Sequence, residues 1–210
     1  MIKEACVESI EEAKRAQELG ANRIELCSDL ANDGLTPSDD LLQKACAELK
    51  IPVMVMIRPR AGNFVHTTDE IEAMKTAIDK AKATNAAGVV LGLLTADKRI
   101  DESNTRLLAE YAHPLPVTFH KAIDELEDPV EGVRALKQIP GIKRILTSGG
   151  QATALEGQET IKQMIREAGE QIIILVAGNV LDSNIIDIQQ KTGAKELHGR
   201  RIVGDLTENQ

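Results

Sequence analysis

Short runs of alternating apolar and polar residues recur along this chain, and each gives way to a stretch of helical spacing. Residues 2–6 read as a strand. Ser9 then caps a helix in which Ile10, Ala13, Ala16 and Leu19 share a face before Gly20 ends it. In residues 23–27, Ile24 and Leu26 alternate with Arg23, Glu25 and Cys27, the period of two that marks a strand. A polar loop with Gly34 follows. Thr36 is placed to cap the next helix, with Pro37 in its first turn and the helix running over residues 38–49. The rhythm continues with a strand at 53–57, a helix opened by Thr67 or Thr68 and reaching about 84, a strand at 88–91 and a helix at 103–112. A strand at 116–119 delivers His120, with Asp124 just beyond it, and Asp128 and Pro129 start the following helix. The strand at 143–147 feeds Ser148-Gly149-Gly150, and a helix covers 156–168. The strand at 172–177 ends in Gly178-Asn179, Asp182 or Ser183 opens a further helix, and 196–198 form the last strand.

Eight β/α steps without a linker predict one domain over residues 1–210 and a parallel sheet. In this length they favour a TIM-like (β/α)8 barrel over a doubly wound sheet. The tail after Gly199 is too short and polar for a full eighth helix. That face is expected to be thin, or covered by another subunit of a homo-oligomer.

In such a barrel the functional groups gather at the carboxyl ends of the strands. Cys6, Cys27, Arg58, His120, Thr147 and His198 all fall there. With Ile24, Leu26, Val117, Phe119 and Leu197 turned to the helices, alternation turns Glu25, Cys27, Thr118, His120, Glu196 and His198 inward. Three strands share the form Glu-x-(Cys or His): Glu4 with Cys6, Glu25 with Cys27, Glu196 with His198. Closure of a barrel would set the first, second and last strands side by side.

Composition narrows the chemistry. A net charge of −8 argues against a broad nucleic-acid interface, and one Tyr, two Phe and no Trp leave little for bases to stack on. No run of about 18 apolar residues suggests a membrane span. The start carries no visible targeting segment, and three cysteines suit free thiols in a reducing cytoplasm. Cys46 reads as helix filler. His66 and His113 read as solvated loop residues, as do the acidic helix residues Glu8, Glu11 and Glu12.

Several blocks resemble a known family. Glu-Ala-Cys, Arg-Ile-Glu-Leu-Cys, Gly-Leu-Thr-Pro-Ser, Met-Ile-Arg-Pro-Arg, Val-Thr-Phe-His-Lys-Ala and Arg-Ile-Leu-Thr-Ser-Gly-Gly are similar, in order, to the signature blocks of the CutC copper homeostasis family. The resemblance runs from Ile2 to about Gly178. It implies a TIM-like barrel, a cytoplasmic location, copper tolerance and Cu(I) binding. Beside it stands a physical reading. Neighbouring strands lie ~4.8 Å apart, so Cys6 and Cys27 could share one ion, with His198 as a third donor. Two thiolates and an imidazole suit Cu(I), and would suit Zn²⁺ as well. Simple filling of the interior by the two cysteines is the competing reading, and Met54 and Met56 read as packing. An alternative function is a TIM-barrel enzyme of unknown reaction on a small carboxylate or phosphate. In it Arg58 and Arg60 bind the anion with the Thr147, Ser148, Gly149 and Gly150 loop, His120 moves a proton, and Glu25, Asp124 or Glu196 assist. Interior glutamates need a counter-charge, for which Arg58 is the first candidate.

Overall fold

The structure, a computed structural model, describes residues 1–207. Eight parallel strands close into a barrel in chain order. Strands β1 (Ile2–Val7), β2 (Arg23–Leu26), β3 (Val53–Met56), β4 (Gly88–Leu91), β5 (Val117–Phe119), β6 (Ile142–Thr147), β7 (Ile173–Val176) and β8 (Glu196–Gly199) alternate with helices. These are α1 (Ile10–Glu18), α2 (Asp39–Glu48), α3 (Thr68–Ala83), α4 (Glu102–Ala112), α5 (Pro129–Lys137), α6 (Gln158–Ala168) and α7 (Ile185–Thr192). Parallel strands need crossovers, and each helix supplies one by burying an apolar stripe on the outside of the sheet. Ile24, Leu26, Val117, Phe119 and Leu197 all sit in that outer core, so the strand phase read from alternation holds. Strand β1 pairs with β2 on one side and β8 on the other, which brings the three Glu-x-(Cys or His) strands together.

No eighth helix follows β8 among the described residues. The tail instead buries Ile202, Val203 and Leu206 in the outer core. Two helix starts differ from expectation. The cap of α2 is Ser38, because the Thr36 hydroxyl accepts the Arg58 N–H at 2.8 Å and donates to the Arg58 carbonyl. Helix α7 begins at Ile185 with Asn184 as its cap residue, since the Asp182 N–H is held by the Arg201 carbonyl of the tail. Thr67 caps α3 in a reciprocal capping box with Glu70. Among the described residues no helix is long and apolar enough to cross a membrane.

Inside the barrel the packing is split. Cys6, Cys27, Met54, Met56 and Val90 form one apolar patch, and Leu146, Leu175 and Ala177 another. A charged seam lies among them, and above it opens a cavity of about 650 Å³ at the carboxyl ends of the strands.

Candidate functional site

The seam begins on β1. Glu4 lies level with Arg23 on β2 and His198 on β8. The Arg23 guanidinium binds the Glu4 carboxylate and reaches Glu196 at 2.6 Å, and Arg144 from β6 meets the same Glu196 oxygen at 2.9 Å. Arg23, Glu4 and Glu196 are all buried. The counter-charge of Glu4 and Glu196 is therefore Arg23, joined at Glu196 by Arg144, while Glu25 faces His198; Arg58 meets none of them. Glu196 is held in this network and does not line the cavity.

Above the seam the sulfurs meet. Cys6 Sγ and Cys27 Sγ are 3.8 Å apart, and Glu25 Oε2 lies 3.5 Å from Cys27 Sγ. Cys27 is closed off by the loop after β2, where Gly34 adopts φ +82° and a Cβ would stand 3.3 Å from the sulfur. Cys6 lines the cavity. The hydrogen bond from Cys27 pulls the Cys6 thiol down to about 5 against the opposing effect of burial, and the His198 ring assists. The same bond, together with burial, pushes Cys27 well above the ordinary thiol range. Burial and the charge on Cys6 raise Glu25 well above a normal carboxyl, while His198 opposes that rise.

His198 places Nδ1 2.9 Å from Glu4 Oε1 and Nε2 3.6 Å from Glu25 Oε2. Burial disfavours its cation, but Glu25, Cys6 and Glu4 together hold its pKa well above 6.5. Both ring nitrogens thus face carboxylates. These neighbours favour the cationic form of the His198 ring beside Cys6. Two sets of donor atoms lie within 4.8 Å of one another: Cys6, Glu25 and Cys27, and Glu4, Glu25 and His198.

Arg58 and His120, each 4% exposed, also line the cavity. Arg58 Nη1 donates to the carbonyls of Asn32 and Gly34, and Nη2 to that of Gly62. Its guanidinium also lies 5.0 Å from the centre of the Phe64 ring, which in turn stands 4.9 Å from the His120 ring. Burial, then the neighbouring Arg58, lower the pKa of His120 to about 3, so the ring is neutral. Its Nδ1 accepts the Ala122 N–H at 3.2 Å, leaving the proton on Nε2. This neutral ring offers a hydrogen-bond donor at physiological pH. Gly92 makes room for it, because a Cβ there would lie 2.5 Å from Nδ1.

The remaining expected anion ligands are engaged elsewhere. Arg60 ties the loop to α3, donating to Glu70 Oε1 at 2.5 Å and to the carbonyls of Asn63 and Val65, and it does not line the cavity. The cradle after β6 holds the chain's own carboxylate. Asp124 accepts from Thr147 Oγ1 at 2.5 Å, from the backbone N–H of Ser148 and Gly150 at 2.9 Å each, and from Ser148 Oγ at 3.0 Å. Gly149 donates to Thr147 Oγ1 instead. His66 is also not solvated: its side chain is 1% exposed, packed beside Glu70. His113 is exposed. Glu8 and Glu12 are not free surface acids either, since both accept from Arg200 at 3.1 Å.

Sequence reasoning missed Arg23, Arg144 and Phe64. Arg23 carried a signal, because it shares the period-two face of Glu25. Phe64 carried none, lying in a polar loop.

The CutC family model matches residues 1–203. The human "Copper homeostasis protein cutC homolog" is 44% identical over 195 residues, covering 93% of this chain and 71% of that protein. A CutC family protein of Photobacterium profundum is 42% identical over 195 residues, covering 93% and 79%. The crystal structure of a protein described as copper homeostasis protein CutC from Streptococcus agalactiae aligns with a TM-score of 0.90 at 34% identity, over 96% of this chain and 99% of that one. An aldolase, QR15, aligns with a TM-score of 0.73 at 14% identity over 98% and 92%, a likeness of fold alone. With the family model matched across nearly its whole length, the chain belongs to the CutC family.

Proposed function

We propose that this protein binds Cu(I) as cargo, in the cytoplasm, through the thiolates of Cys6 and Cys27. The observation that carries the reading is the 3.8 Å separation of two buried sulfurs, one of them held as a thiolate. Two thiolates ~2.3 Å from one tetrahedral ion would stand about 3.8 Å apart, so the donors fit a shared soft metal. A disulfide fits less well. Cys6 is level with Glu25, which puts Cys27 two residues further along its strand and the two Cα atoms about 8 Å apart, beyond the ~7 Å that a bridge tolerates. Cys27 keeps its proton in the metal-free state, and metal binding releases it. His198 supports the pair by its charge. All three cysteines are free thiols, which suits a reducing compartment.

The test is an anaerobic Cu(I) titration against a competing chelator. Cys6→Ser with Cys27→Ser should weaken binding by at least a hundredfold, and His198→Gln by about tenfold. An unchanged affinity in the double variant would overturn the reading.

A further inference from the structure

A metal ion needs only the sulfur side of the mouth, yet the cavity measures about 650 Å³, within the ~300–1,000 Å³ usual for sites of small organic ligands. The Arg58 and His120 part of its wall has a feature that neither packing nor metal binding uses. Arg58 Nε and His120 Nε2 are buried polar atoms without a partner. Both residues line the cavity, from the ends of β3 and β5, and Phe64 lies against each of them. A buried donor left unpaired is costly, and more so where the group is charged. Arg58 is also short of compensating charge. Its hydrogen bonds all go to backbone carbonyls, and none of the ion pairs among the described residues includes it. Burial and Arg60 disfavour its charge, while Asp33, Glu125 and Cys27 favour it without a hydrogen bond.

We propose that Arg58 and His120 form a carboxylate subsite, and that the cavity takes a small organic monoanion whose carboxylate accepts from Arg58 Nε–H and His120 Nε2–H. Two N–H donors match the two oxygens of a carboxylate, and one guanidinium charge neutralises a single negative charge. A phosphate is disfavoured on the same wall. It would bring a second charge and a third oxygen, and the glycine loop that could have met it is filled by Asp124. Leu30, Met56 and Leu146 give the body of the ligand an apolar surface to lie on.

This inference stands apart from the copper reading, so its test uses metal-free protein in the Cys6→Ser, Cys27→Ser background as well as the wild type. Phenylacetate is the probe, titrated by calorimetry and ligand-detected NMR, with phenylacetamide and inorganic phosphate as comparisons. Saturable one-to-one binding of phenylacetate is expected in both backgrounds. Phenylacetamide should bind at least tenfold more weakly, and phosphate should not displace the probe. His120→Phe should weaken phenylacetate at least tenfold. This variant leaves the loop bonds of Arg58 intact, so it reads the subsite even if Arg58→Gln fails to fold. Absence of saturable binding, equal binding of the amide, displacement by phosphate, or an unaffected His120→Phe would each overturn the proposal.

Discussion

Burial and the neighbouring Arg58 keep the ring of His120 neutral in the folded protein, with a pKa of about 3 against 6.5 for an ordinary histidine. The sign of the consequence follows from proton counting. Between those two values the unfolded chain binds a proton that the folded chain does not. Stability associated with neutral His120 is therefore complete above pH 6.5 and is lost as the pH falls through about 3, at up to ~1.4 kcal/mol per pH unit. Urea unfolding at pH 7 and pH 4.5 should show the wild type losing about 2–3 kcal/mol more than His120→Phe over that interval. Equal losses in the two proteins would contradict it. The same residue illustrates a limit of reading roles from position. Its place at the end of a strand was visible in the sequence, but its protonation state depends on Arg58 and Phe64, which come from another strand and from a loop.

At the scale of elements, strand phase was legible because a residue slip of one would have put Ile24 and Leu26 inside and Glu25 and Cys27 among the helices. Helix starts were less so. Thr36 has the chemistry of a cap, but its hydroxyl and backbone join β2's loop to Arg58, so the cap passes to Ser38. Local propensity gave way to a contact 22 residues away. The charged seam is also a property of elements, because Arg23 joins β1, β2 and β8 through two carboxylates. Arg23→Met should leave Glu4 and Glu196 without their shared partner and destabilise the barrel by about 3–5 kcal/mol, measured by urea unfolding. A loss below about 1 kcal/mol would show that Arg144 and His198 suffice to hold the seam.

For the molecule as a whole, the barrel closes although one outer helix is missing among the described residues, since Ile202, Val203 and Leu206 of the tail cover the core instead. The tail is too short for a full eighth helix, and three apolar residues within it pack there instead. The glycine loop after β6 is the other whole-molecule feature, and Asp124 gives it an unexpected meaning. TIM barrels often bind phosphate with the loops after strands seven and eight; here the glycine loop after β6 holds an internal carboxylate instead. Asp124→Gly should lower the melting temperature, and inorganic phosphate should restore part of it, while chloride at equal ionic strength and phosphate added to the wild type should not. A variant indifferent to phosphate would refute this. The Asp124 carboxylate is thus a permanent stand-in that takes up the N–H groups an incoming phosphate would need from this loop.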